Sequence, residues 1–208
     1  MRFILLFLFF IRFNLVNGQT LNQENEVIQV EYQCYFNVKF DREKQFYSYD
    51  ARLYQNQNAS YFFVFFDKNN NTSGATMDVI IEADTFLRVV KNPDRTEILF
   101  GTTSYSGKEI LFRDSLFPMS WNLENEKKKI DSFECYKANT WFKGRKYIAW
   151  YCPQIPIPDG PWKLGGLPGL ILEAYDENKD LYFIVKRIFN TSNHYTGLKN
   201  ENFLNYPD

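Results

Sequence analysis

Val27-Ile28-Gln29-Val30-Glu31-Tyr32-Gln33-Cys34-Tyr35-Phe36-Asn37-Val38 alternates by twos. Ile28, Val30, Tyr32, Cys34, Phe36 and Val38 fall on one side of an extended chain, and Gln29, Glu31, Gln33 and Asn37 on the other. Successive side chains of a strand point to opposite faces, so this pattern describes a strand with one face buried. Half-buried strands of that kind belong to antiparallel sheets. Outward from this segment the same reading repeats. A polar turn at Asp41–Gln45 leads into a strand at Phe46–Gln55, and Tyr61–Phe66 is an apolar run whose periodicity fits a buried strand or a short helix. Thr85–Lys91 and Thr96–Thr102 flank the turn signal Asn92-Pro93-Asp94, and Glu109–Asp114 and Met119–Leu123 follow. The charge run Glu126–Lys129 reads as a solvated hairpin tip. Ile130–Trp141 and Arg145–Cys152 form a hairpin around Lys143-Gly144, and Leu170–Tyr175 and Asp180–Ile188 form another around Asp176–Lys179. One short helix could lie between Ser60 and Asp84.

Short strands at regular spacing make a mostly β protein: a single antiparallel domain built as a curved sheet, half-barrel or sandwich, with at most short helices. Aromatic residues are 19% of the 208-residue chain, and aromatic side chains favour strands. The net charge is −1 with both signs dispersed, which argues against a nucleic-acid partner.

The N-terminus reads as a signal peptide over residues 1–18. Arg2 supplies a positive start, Phe3–Ile11 an apolar run too short to span a bilayer, and Val16-Asn17-Gly18 a small-residue cleavage site. Residues 19–208 are then one β-rich domain with a polar tail from about 190, of ordinary single-domain size. No second apolar run of spanning length follows. The chain is expected to be exported, to periplasm or medium.

Gly160-Pro161-Trp162-Lys163-Leu164-Gly165-Gly166-Leu167-Pro168-Gly169-Leu170-Ile171 is the other distinctive stretch. Its glycines supply φ > 0 or close approach, its prolines fix φ, and Trp162 is the large side chain expected to pack over the sheet. The segment reads first as a rigid structural corner and second as a binding loop. Gly166-Leu167-Pro168-Gly169-Leu170-Ile171 resembles the motif of the GLPGLI family of bacterial secreted proteins. Cys135–Ala138, Gly144–Tyr151, Ile155–Ile157 and Gly160–Trp162 are similar to the rest of that family's signature block. The resemblance is specific between about Trp121 and Ile188 and diffuse from Val27 to Met119. It implies an exported bacterial protein and brings no activity with it.

No catalytic set stands out. His194 is the sole histidine and lies in the polar tail, the three cysteines lack metal-ligand spacing, and the glycines precede a strand rather than a phosphate-binding helix. No metal or cofactor is expected. A turn centred on Lys143-Gly144 places Cys135 and Cys152 opposite one another, a candidate disulfide; the rival reading is three buried thiols. Glu173 is expected to point outward from a half-exposed strand. Three functions compete: a non-catalytic binding or envelope-assembly module, a carrier of an apolar ligand similar to lipoprotein carriers, and a hydrolase with an unrecognised carboxylate pair. N-terminal sequencing of protein recovered from outside the cytoplasm should find Gln19 first; retention of residues 1–18 on that material would overturn the export reading.

Overall fold

In the computed structural model, the residues described are 27–40, 43–55, 59–65, 85–92, 97–103, 109–115 and 118–191. They form eleven strands: β1 Val27–Phe40, β2 Glu43–Gln55, β3 Ser60–Phe65, β4 Thr85–Lys91, β5 Glu97–Thr103, β6 Glu109–Ser115, β7 Asn122–Ile130, β8 Phe133–Phe142, β9 Arg145–Cys152, β10 Leu170–Asp176 and β11 Leu181–Thr191. All eleven join one sheet in the order β6-β5-β4-β3-β2-β1-β11-β10-β9-β8-β7. Each half of the chain is thus a meander, and the halves meet along β1 and β11, which pair antiparallel from Val27↔Thr191 to Phe36↔Leu181.

The two edges of this sheet are consecutive in sequence. Only residues 116–121 separate β6 from β7. Laid flat, eleven strands at about 4.8 Å spacing would part the edges by roughly 48 Å. The connection can reach about 25 Å at full extension. The sheet must therefore curl, and contacts across it show that it does. Asp114 of β6 pairs with Lys143 in the β8–β9 turn at 3.2 Å and with Lys163 at 3.6 Å. Strands β6 and β7 are not hydrogen-bonded to one another, so the curl stays open. Of the arrangements open to the sequence, the chain adopts the single curved sheet.

The core lies on the inner face of the curl. Val30, Tyr32 and Cys34 of β1 meet Ala51 and Leu53 of β2, Phe62 and Val64 of β3, Leu87 and Val89 of β4, and Phe183 of β11. Phe62 sets its ring edge to face against Tyr32 and Phe183, with centroids 6.3 and 6.2 Å apart. The alternation of Val27–Val38 foretold this face, and the ambiguous run at Tyr61 resolves as strand. No helix occurs among the described residues. The signal segment, the loop after Phe66, residues 66–84 of the stretch that had room for one short helix, Pro93-Asp94 and His194 lie outside them.

Several expectations are corrected. Glu126–Lys129 sits inside β7, and the turn falls at Asp131-Ser132, where Asp131 takes φ 53°. An edge strand presents one side to water, so charges that would break an inner strand are tolerated here and discourage edge-to-edge pairing. Lys127 meets Glu134 at 3.1 Å and Glu126 meets Lys137 at 2.6 Å. The strand expected at Met119–Leu123 accordingly begins later, at Asn122. β2 begins at Glu43 rather than Phe46, and β11 runs on to Thr191, into the segment read as tail.

Tyr32 is fully buried and its hydroxyl donates to the Ile171 carbonyl at 2.7 Å. Burial first, then the negative charge of Asp159 and the neighbouring Cys34, hold its ionisation well above the usual tyrosine range. In the unfolded chain Tyr32 loses its proton near pH 10. Above that pH the unfolded state binds fewer protons than the folded one, so stability falls as pH rises, and the full contribution is present below it. Tyr32→Phe should be about 1 kcal/mol less stable at neutral pH. Its stability should also decline less steeply than wild type's in denaturant titrations run above pH 10. Parallel decline in the two proteins would refute the assignment.

Candidate functional site

The segment between β9 and β10, residues 153–169, leaves the sheet at Cys152, crosses the inner face and returns at Leu170. It carries the glycine-rich motif. Short backbone bonds fold it on itself: Ile157 donates to Ile155 at 2.7 Å, Asp159 to Ile157 at 2.7 Å, Leu164 to Pro161 at 3.0 Å, and Gly166 to Pro158 at 2.9 Å. Asp159 and Gly165 form an antiparallel bridge within it. Leu164 and Leu167 are buried in the common core, with Ile157 beside them.

Three side chains from the sheet and its connections hold this segment and the start of β10. The ammonium of Lys91, at the end of β4, reaches Asp159 Oδ1 at 2.5 Å and the carbonyls of Gly160 at 2.8 Å and Leu164 at 3.2 Å. These use all three of its donors. Both Lys91 and Asp159 are 0% exposed. Asp159 Oδ1 also accepts the Gly160 N–H at 2.7 Å. Trp121 donates its indole N–H to the Gly165 carbonyl at 2.9 Å, and Tyr32 holds the Ile171 carbonyl.

The motif residues divide by task. Gly169 takes φ 154°, and a Cβ there would fall inside the carbonyl of Cys152, so only glycine fits. A Cβ on Gly160 would meet the Ile171 side chain at 2.8 Å. Pro161 is buried, and Pro168 is exposed at the last bend. Gly165 serves the bridge and the tryptophan bond, and Gly166 takes φ 87° at an exposed turn. Leu170 and Ile171 are 0% exposed and open β10. Trp162 holds φ 53°, a left-handed conformation that a bulky side chain adopts at a cost of roughly 1–2 kcal/mol. Its ring packs against Tyr147 at 6.2 Å and Phe142 at 6.5 Å, which offsets that strain. Lys163 stands beside it, partly buried, and burial lowers its ionisation while Asp114 pulls the other way.

The sequence reading named this segment but missed Lys91, Asp159, Tyr32 and Trp121. One signal was present: Leu87, Val89 and Lys91 share an inner face, so the lysine stands where an apolar residue was due. Asp159 gives no comparable sign. Chemically the Lys91–Asp159 pair can anchor and cannot meet a substrate, since neither side chain touches solvent. Among the described residues, no three His, Cys, Asp or Glu side chains gather where they could hold a metal.

The opposite face carries a second set of groups. Glu173 is buried rather than half-exposed, because Lys128 of the edge strand folds over it at 2.5 Å while also covering the Trp150 ring at 4.3 Å. Tyr35, Tyr182 and Tyr175 lie side by side on β1, β11 and β10, with centroids 5.7 and 5.8 Å apart and the Lys179 ammonium 5.6 Å over Tyr175. Burial, then Glu173, pushes the Tyr182 phenol up to about 12. Cys34, Cys135 and Cys152 are all buried free thiols.

Residues 142–173 match the model of a family described as a protein of unknown function (Porph_ging). That stretch contains the Gly166–Ile171 hexapeptide, so the match and the sequence resemblance rest on the same segment. No curated protein matches the chain. Among solved structures, PNGF-II in two crystal forms is similar: 16% identical with TM-score 0.56 in one and 15% with 0.55 in the other, each covering 82% of this chain. The chain spans 29% of the length of PNGF-II. A DUF1329 family protein from Desulfovibrio piger is 10% identical, with TM-score 0.28, covering 88% of this chain and 93% of its own.

The anchor predicts a pattern of stabilities. Lys91→Met leaves Asp159 charged and buried, and should cost about 3–5 kcal/mol in denaturant unfolding. Lys91→Met with Asp159→Leu should recover part of that loss, because an apolar pair carries no desolvation cost. Gly169→Ala should lower the melting temperature clearly, and Gly166→Ala, with open space around its Cβ, should do so less. Equal melting of Gly169→Ala and wild type would contradict the close approach to Cys152.

Proposed function

We propose that this chain is a non-catalytic binding or assembly module of the bacterial envelope, exported and joined to a protein partner through the sheet face opposite its core. The observation that carries the reading is the tyrosine row. Tyr35, Tyr175 and Tyr182 span three central strands, and Tyr35 is 38% exposed. Tyrosines combine apolar area with a hydrogen-bonding tip and lose little freedom on docking, which suits them to protein interfaces. The motif segment, by contrast, turns its carbonyls at Gly160, Leu164, Gly165 and Ile171 inward, to Lys91, Trp121 and Tyr32. The similarity to under a third of a longer protein fits a module. The balanced charge favours a protein partner over nucleic acid.

A carrier of an apolar ligand is the second reading. Ile110 and Phe112 of β6 occupy inner-face register with Thr102 and Phe100, yet are 42% and 52% exposed. Apolar side chains partly exposed on the concave side are what such a ligand would cover.

One experiment separates them. Immobilised chain and its Tyr35→Ala/Tyr175→Ala variant would be exposed to envelope extract, with bound proteins and lipids identified and both chains' melting compared. The module reading expects a protein held by wild type and lost from an equally stable variant. Lipid held equally by both chains, with no protein, would replace it with the carrier reading. Retention of nothing by either would overturn both.

A further inference from the structure

The hairpin β8–β9 determines what Cys135 and Cys152 can do. Its two-residue turn has Lys143 at φ 50° and Gly144 at φ 80°, the left-handed pair of a type I′ turn. In such a hairpin the flanking residues, Phe142 and Arg145, are a hydrogen-bonded pair, and the pairs alternate from there. Thr140↔Tyr147, Ala138↔Ala149 and Tyr136↔Tyr151 are therefore hydrogen-bonded sites. The next position, Cys135 opposite Cys152, is a non-hydrogen-bonded site. The ladder stops at Tyr136↔Tyr151 because the following pair would need an N–H from Pro153, which has none.

Non-hydrogen-bonded pairs bring Cα atoms to about 4.5 Å and their side chains closest. A disulfide needs Cα atoms roughly 4.4–6.8 Å apart. Both cysteines project to the face opposite Tyr136 and Tyr151, and both are 0% exposed. Their proximity registers electrostatically: after burial, the Cys152 sulfur is the next cause that pushes the Cys135 thiol up to about 12. Cys34 lies on β1, across β11 and β10 from this hairpin, and serves as an internal control.

We infer that Cys135 and Cys152 are a cross-strand disulfide site, oxidised during folding by a small disulfide donor such as oxidised glutathione. One cysteine thiolate displaces a thiol from the donor and forms a mixed disulfide. The second thiolate attacks the protein sulfur of that intermediate and releases the donor's other half. Two protein thiols are oxidised, one donor disulfide is reduced to two thiols, and the protons balance. The reaction belongs to folding, because a buried thiol supplies little thiolate once the face is covered. The bond would fasten the point where the chain leaves the sheet. Cys152 pairs with Leu170, its carbonyl accepts the Ile155 N–H at 3.1 Å, and Gly169 lies against it. This inference rests on the hairpin's geometry alone and stands apart from the proposed function.

The test is refolding of the full chain in glutathione buffers of graded oxidation, followed by alkylation in denaturant and peptide mass analysis. The expected product has one alkylated thiol, at Cys34, and a Cys135–Cys152 linked peptide. It should melt several degrees above the reduced protein. Cys34→Ser should form the same link, and Cys135→Ser should leave two alkylated thiols. Three alkylated thiols after refolding in fully oxidised glutathione would overturn the inference, as would a link that involves Cys34. A Cys135→Ser chain that fails to fold leaves the Cys34→Ser arm decisive.

Discussion

Six residues join the opposite edges of an eleven-stranded sheet, and that covalent limit shapes everything inside it. The sheet has to curl, and the segment after β9 packs against part of its inner face. Its residues Ile157, Leu164 and Leu167 belong to the same core as Val30 and Phe62. Asp114 then finds Lys143 and Lys163 within reach only because the β6 edge has been brought round to the β8–β9 turn and the motif segment.

Filling a curl with backbone creates a hydrogen-bonding demand. Carbonyls of the segment are carried away from water and need donors. Lys91 meets two of them and Trp121 a third, while Tyr32 meets the carbonyl at the start of β10. The lysine brings a charge that must itself be neutralised, and Asp159 does so from within the segment it secures. A buried ion pair of this kind adds little net stability, but a slip of register would leave a bare charge buried.

Strands were legible in sequence wherever one face was apolar and the other polar, as at Val27–Val38. It was illegible at Glu126–Lys129, because an edge strand breaks the alternation that defines inner strands. The hairpin at Lys143-Gly144 could be read because its turn demands left-handed residues locally. The motif segment was legible as rigid, since glycine and proline act on their own backbone. Its partners were not, because Lys91 and Asp159 are 68 residues apart and nothing local ties them. Glu173 was misjudged for the same reason: Lys128, which shields it, comes from a strand three places away in the sheet.

The seam between β1 and β11 also orders events in time. Val27 pairs with Thr191, so the first described strand waits for the last. Through synthesis, β1 to β6 can assemble as a meander with the edge of β1 bare along Val27–Phe36. Long-range pairing of this kind is slow, and bare edges recruit other chains. The interval before β11 arrives is when this protein is most exposed to aggregation, and a chaperone that shields the β1 edge would protect it most.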